Sequence, residues 1–275
     1  MSATATTCLL LALLTACLPI ARGQQDAKAE AIGPLPSKKV SDLKFKHQSF
    51  TFVRIQYSSR PRRSPSPGAS RSWMTDYPDA DLNFTARFEK EIGLKCERDG
   101  RVMTLTNSEL SQFPFIYVAE GGQLQLSDAE VESLRRYLLG GGFLMVDDFW
   151  GESEWSSLHA ELTRVFPDRE PVELSNDHPL FHCYFDIREK PQVPNVALGV
   201  RSQFTGITWE RGDAKEAHYR GLFDDKGRLM AIFCHNTDLG DGWERQGESE
   251  YYYREFALKK AYPMGINIVL YALTH

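Results

Sequence analysis

Residues 140–151 read GGGFLMVDDFWG: three glycines, four apolar residues, two aspartates, an aromatic pair and a last glycine. Phe143 to Val146 is apolar at every position and too short for a helix, the pattern of a strand covered on both faces. The glycines precede this strand, whereas glycines that cradle phosphate follow a strand and open a helix, so Gly140 to Gly142 form no phosphate loop. Asp147 and Asp148 fall where the strand ends.

Upstream, Ser127-Asp128-Ala129-Glu130 has capping-box spacing, and Val131, Leu134 and Leu138 supply the buried stripe of the helix that follows. Downstream, Trp155, Leu158, Leu162 and Val165 mark a second amphipathic helix, ended by Pro167. Farther out, Phe50, Phe52, Val53, Ile55 and Tyr57 predict a first strand. Phe84, Phe88 and Ile92 predict a helix that starts near Asp81 and stops at Gly93. Arg101 to Leu105 and Phe113 to Val118 predict two more strands. This alternation over 50–167 predicts an α/β fold built on a doubly wound, mostly parallel sheet. After Pro171 the pattern changes. Leu222 to Cys234 reads as an added β-hairpin turning at Asp224 to Gly227, and Pro263 opens a C-terminal helix whose Ile266, Val269, Leu270 and Leu273 pack back onto the sheet.

The chain has 275 residues, 42% hydrophobic and 25% charged, with a net charge of −5. These values suit a folded protein and argue against a nucleic-acid binder. Cys8 to Ile20 (CLLLALLTACLPI) followed by Ala21-Arg22-Gly23 predicts a secretory signal over 1–23. A tether over 24–49 and a single domain over 50–275 follow. The expected address is periplasmic or extracellular; in the alternative, Leu14-Thr15-Ala16-Cys17 is a lipobox and Cys17 carries a lipid anchor. No later apolar run is long enough to be a transmembrane helix. Cys96, Cys183 and Cys234 remain after the signal, so at most one disulfide can form. Arg60 to Ser72 reads as an exposed Pro/Ser/Arg loop.

In an open parallel sheet, ligands bind beyond the carboxyl ends of the strands, where strand order reverses. That rule gathers Trp73, Asp76 and Tyr77 from the first loop, Glu120 and Gly121 from another, and Asp147, Asp148, Trp150 and Glu152 from the loop after Val146. They are the expected ligand-binding residues of an acidic, Trp-lined crevice. Acids at the end of a buried strand cost free energy unless something pairs them. Either one aspartate caps the helix beginning near Ser153 while the other orders the loop, or both are kept for a ligand or cation. His178 and His182 stand four apart in HPLFH, as metal ligands do, although Pro179 favours a turn-capping role. Asn236, Asp238, Asp241 and Glu244 in HNTDLGDGWE alternate oxygen donors around glycine, but the spacing is not that of an EF-hand, and a Gly/Asp surface loop is favoured. G-x-S-x-G, H-E-x-x-H and C-x-x-C motifs are absent.

With GGGFLMVDDFWG, HPLFHCYFD, GRLMAIFCHNTDLGDGWE and GINIVLYALTH in view, the region from Phe50 to His275 resembles the bacterial family known as domain of unknown function 4159. The architecture also resembles class I glutamine amidotransferases, flavodoxin-like proteins in which the strand matching Phe143 to Val146 leads into a sharp turn with a nucleophilic cysteine. The resemblance implies a sheet-edge crevice; Asp147 and Asp148 at the turn imply that the thiol reaction is absent. The expected function is that of a non-catalytic exported envelope protein, with no cofactor, binding a small ligand or partner segment such as a cell-wall glycan or an envelope protein. One alternative is a metal-dependent hydrolase with a divalent cation on Asp147, Asp148, His178 or His182. Another is a structural partner in an envelope assembly, contacting it through Tyr251 to Tyr253.

Overall fold

Short apolar runs become strands and amphipathic runs become helices in the computed structural model, which describes residues 49–59 and 72–275. The expected signal, the tether up to residue 48 and most of the Pro/Ser/Arg loop lie outside the described residues. The strands are β1 (Phe50–Ile55), β2 (Ser58–Ser59), β3 (Cys96–Met103), β4 (Phe115–Val118), β5 (Leu124–Gln125), β6 (Phe143–Phe149), β7 (Val172–Glu173), β8 (His218–Phe223) and β9 (Leu229–His235). The helices are α1 (Asp79–Ile92), α2 (Asp128–Leu139), α3 (Gly151–Val165), α4 (Val196–Thr205), α5 (Leu239–Glu244), α6 (Glu250–Tyr252) and α7 (Tyr262–Thr274), with a π-helical stretch, Tyr253–Ala261, running into α7.

The main sheet has seven strands in the order β3-β1-β4-β6-β9-β8-β7, and β2 pairs separately with β5. The pairings from β3 through β9 are parallel, while β8 runs antiparallel to β9 and to β7. The chain moves from β1 to β3 on one side and then returns to place β4 on the other, so strand order reverses between β3 and β4 with β1 at the centre. This is a mixed α/β fold with a mostly parallel sheet.

Alternate residues of β1, β4 and β6 enter two separate cores. On one face Phe52, Phe115 and Tyr117 pack with Phe84 and Phe88 of α1, Trp243 of α5 and the apolar residues of α7; Phe84 and Trp243 have ring centroids 4.5 Å apart. On the other, Val53, Ile116, Leu144 and Val146 meet Leu134 and Leu138 of α2 and Leu158 and Leu162 of α3. Each large apolar side chain buried here contributes about 1.5–3 kcal/mol. The expected capping box closes α2: Ser127 Oγ accepts from the Glu130 amide, and the Glu130 carboxylate accepts from the Ser127 amide at 2.8 Å. Gly93 ends α1 in the left-handed conformation at φ 74°, which costs glycine nothing.

Three sequence expectations need correction. The hairpin of β8 and β9 is no appendage: β9 lies parallel to β6 inside the sheet, because LMAIFCH is buried along its whole length. Strand β6 does not stop at Val146; it continues through both aspartates to Phe149, with an irregular register after Val146. Helix α3 begins at Gly151 rather than near Ser153. Cys96, Cys183 and Cys234 are all free thiols. No helix among the described residues is long and apolar enough to cross a membrane.

Candidate functional site

Arg54 is a cation in the middle of the apolar run FTFVRI, fully buried on β1. Its Nε lies 3.0 and 3.1 Å from the two carboxylate oxygens of Asp81, and Nη2 is 2.5 Å from Oδ1. Nη1 donates to the carbonyls of Trp73 (3.1 Å) and Thr75 (2.9 Å), and the guanidinium lies over the Tyr117 ring at 4.9 Å. Burial works against this charge, and Asp81 more than restores it, holding Arg54 above its usual range. The effect is mechanical: Arg54 clamps the segment after β1 and presents Asp76, whose backbone is left-handed at φ 63°. A non-glycine residue there costs about 1–2 kcal/mol.

The other loops tie into this one. Thr75 Oγ1 donates to Glu120 Oε1 at 2.9 Å, and the Tyr57 hydroxyl reaches the carbonyls of Ala119 and Glu120. At the end of β6, Asp147 Oδ2 accepts from the amides of Leu239 (2.9 Å) and Gly240 (3.0 Å) and from the Tyr117 hydroxyl (3.3 Å). Asp148 follows at φ 55°, its Oδ1 3.3 Å from the indole nitrogen of Trp150. Beyond β9, Asn236 Oδ1 accepts from the Gly151 amide, Asp238 caps α5 by accepting from the Asp241 amide, and Asp241 accepts from the Val196 amide.

The outcome is a gathering of acids from three strand ends and one short helix. Asp76, Asp148 and Asp238 each offer an oxygen, all within 4.8 Å of one another, and Asp76, Asp241 and Glu244 do the same. Asp76 Oδ2 and Asp147 Oδ1 are buried with no hydrogen-bond donor reaching them. The approach depends on Gly240. A Cβ at that position would lie 2.4 Å from Asp76 Oδ2, 3.1 Å from the Tyr117 hydroxyl and 3.4 Å from Asp238 Oδ1.

Electrostatics follow from this crowding. Burial, then Asp241 and Glu244, push the Asp76 carboxyl well above the usual range. Burial, then Asp76 and Glu120, do the same to Asp148, and burial, Asp148 and Asp241 to Asp238. Asp147 is pushed up to about 7 by burial, against the hydrogen bonds it accepts. Carboxylates this close cannot all ionise in a buried site; each needs a proton or a cation. Donors that are all oxygen suit a hard divalent ion such as Ca²⁺, Mg²⁺ or Mn²⁺ rather than zinc.

The residues expected from sequence divide into those brought here and those placed elsewhere. Asp76, Asp147, Asp148 and Glu120 meet at the rim. Trp73 and Trp150 are buried, 8% and 3% exposed; Trp73 packs on Tyr77 and Trp150 bonds to Asp148. Gly121 serves packing, since a Cβ there would lie 2.2 Å from Val146 Cγ1. Glu152 is exposed in the first turn of α3, its amide donating to Asp213. No aspartate of the pair caps α3: Asp147 holds the amides of α5, and the first amides of α3 go to Asn236 and Asp213.

His178 and His182 are not part of this cluster. His178 Nδ1 accepts from the Leu180 amide, and its ring packs on Phe223 and Tyr271. Phe223 pairs with Leu229 at the start of β9, which is the opposite edge of the sheet. His182 is bonded to Asp186 and the Asn176 carbonyl. HNTDLGDGWE is not a surface loop: Asn236, Asp238 and Asp241 are buried. Sequence reasoning noted these acids but placed them outside; the apolar length of β9 was the signal that its loop joins the same rim. Arg54 gave one signal, a lone cation in an apolar strand. Among the described residues no thiol is set up as a thiolate, since burial pushes Cys96 and Cys183 up to about 12 and Cys234 well above the usual range.

A search of curated proteins returns no match to the chain. The family model described as domain of unknown function (DUF4159) matches residues 51–273, from the second residue of β1 to the penultimate residue of α7, and the chain belongs to that family.

Proposed function

We propose that this chain is an exported, amidotransferase-like binding domain whose sheet edge carries a divalent-cation site where that architecture carries a thiol. The observation that carries the reading is the meeting of Asp76, Asp148 and Asp238 within 4.8 Å, with Asp76 Oδ2 buried and undonated. The doubly wound likeness is supported by the strand order β3-β1-β4-β6-β9 and by the left-handed Asp148 at the turn after β6. In this reading Asp76, Asp148 and Asp238 hold the cation, Arg54 fixes the Asp76 loop, and Asp147 fixes the loop that bears Asp238. Positions of the ion not filled by protein would take an oxygen-rich ligand such as a cell-wall glycan.

Terbium luminescence tests the site, because the Trp150 indole lies beside Asp148 and would sensitise a bound lanthanide. Chelator-stripped protein should give a saturable signal that Ca²⁺ or Mn²⁺ displaces, and Asp148→Asn and Asp238→Asn should weaken it at least tenfold with unchanged circular dichroism. Equal binding by both variants would refute the reading.

One observation favours a hydrolytic version of the same site. Asp147 Oδ1 is buried next to Asp148 in the chain with no donor reaching it, which suits a general base acting on cation-bound water. In that version Asp147→Asn abolishes turnover of ester, phosphoester or glycoside substrates while leaving cation affinity intact.

A further inference from the structure

Resting on the cation reading above, we infer that the rim holds two divalent cations, with Asp76 as the carboxylate shared between them. Asp76 belongs to both oxygen clusters, one completed by Asp148 and Asp238 and the other by Asp241 and Glu244. The second pair stands three residues apart on α5, a spacing that puts both side chains on one helix face. Asp76 Oδ2, buried without a donor, lies between the strand ends and that helix, where Gly240 leaves it room.

Charge decides between one ion and two. The clusters contain five carboxylates: Asp76, Asp148, Asp238, Asp241 and Glu244. Among the described residues the cation paired with them is Arg245, whose Nε lies 2.5 Å from Glu244 Oε2 and 3.6 Å from Asp241 Oδ1. Arg54 is committed to Asp81. With Arg245 in place four negative charges remain and a pair of divalent ions balances them; with Arg245 drawn to Glu248 five remain, and a single ion leaves three uncompensated against one for a pair. Glu120 and Glu210 add to the negative field at Asp148. Arg245 also bonds Glu248 at 2.8 Å, a more exposed partner that can keep the guanidinium when an ion takes the α5 carboxylates. Shared carboxylates that join two ions are the usual frame of two-metal centres.

Manganese separates this inference from the reading beneath it. The purified chain, stripped with chelator, is titrated with Mn²⁺ by calorimetry and examined by electron paramagnetic resonance. The expected result is two ions per chain with a spin-coupled spectrum. Asp241→Asn and Glu244→Gln should each leave one ion with an uncoupled six-line spectrum, and Asp76→Asn should weaken both. Arg245→Gln should bind the second ion several-fold more tightly, because a competing cation is gone. One ion in the wild type, unaffected by Glu244→Gln, overturns the pair and leaves the single site standing. Two uncoupled ions overturn the shared carboxylate. No binding of Mn²⁺ or Ca²⁺ overturns both readings.

Discussion

Raising the pH of the cation-free protein should remove stability through Asp147, by an amount set by its surroundings. Burial holds its carboxyl at about 7 instead of the ordinary 3.8, against the hydrogen bonds from Gly240, Tyr117 and Leu239. A carboxyl that grips its proton more tightly in the folded chain stabilises the fold fully below about pH 4, and that contribution is lost as the pH climbs toward 7. Three pH units at about 1.4 kcal/mol each give about 4 kcal/mol. Asp76, Asp148 and Asp238, also raised, add loss in the same direction. His235 opposes them. Burial lowers its ring to about 4 from 6.5, so its contribution is lost in acid and regained, about 3 kcal/mol, as the pH rises from about 4 to about 6.5. The wild-type curve therefore mixes two slopes. Asp147→Asn separates them, because His235 is common to both proteins. Urea unfolding in chelator should show the wild type losing about 4 kcal/mol more than the variant between about pH 4 and about pH 8. Saturating Mn²⁺ should close much of the gap for the cluster carboxyls. Parallel curves for the two proteins would refute the argument, since they would mean that Asp147 titrates alike in the folded and unfolded chains.

Arg54→Met leaves Asp81 buried without its partner, together with two carbonyls, and should cost about 3–5 kcal/mol in urea unfolding. Adding Asp81→Leu should recover much of that loss while the cation site stays weak, because the Asp76 loop is no longer clamped. Gly240→Ala puts a methyl group 2.4 Å from Asp76 Oδ2, so stability should drop by about 1–3 kcal/mol and Mn²⁺ affinity should fall with it. Ser127→Ala removes half of the α2 capping box, whose bonds run to Glu130 and to none of the cluster acids; about 1 kcal/mol of stability should go, with cation affinity unchanged.

Much of the sheet was legible because its signals are local. Phe143 to Val146, Phe115 to Val118 and the stripes of α1, α2 and α3 are patterns within a dozen residues, and the capping box at Ser127 is set by three residues of spacing. What misled was the place where a local rule met a tertiary one. Asp147 and Asp148 break the apolar run, so the strand seemed to end at Val146, yet β6 continues through them because α5 supplies amides to Asp147. The hairpin of β8 and β9 was found from its turn, but nothing within it says which strand it joins. That choice is made by β6, 87 residues earlier in the chain at the pairing of Val146 with Phe233.

The site was half legible for the same reason. Once β9 is placed beside β6, its carboxyl end must deliver Asn236 to Glu244 to the edge that holds Asp76 and Asp148, and a loop read as surface becomes the wall of the cluster. Asp147 and Asp148 are adjacent in sequence but take opposite parts. The first turns toward α5 and spends one oxygen on two amides and a hydroxyl, which fixes the loop carrying Asp238. The second, left-handed, turns toward Asp76 and Asp238. A neutral residue at Asp147 would hold those amides less well, and a neutral residue at Asp148 would remove charge that the fold alone has no use for. Carboxyls kept so far above their usual range are a cost to the empty protein, and in the proposed reading a bound cation turns that cost into binding energy.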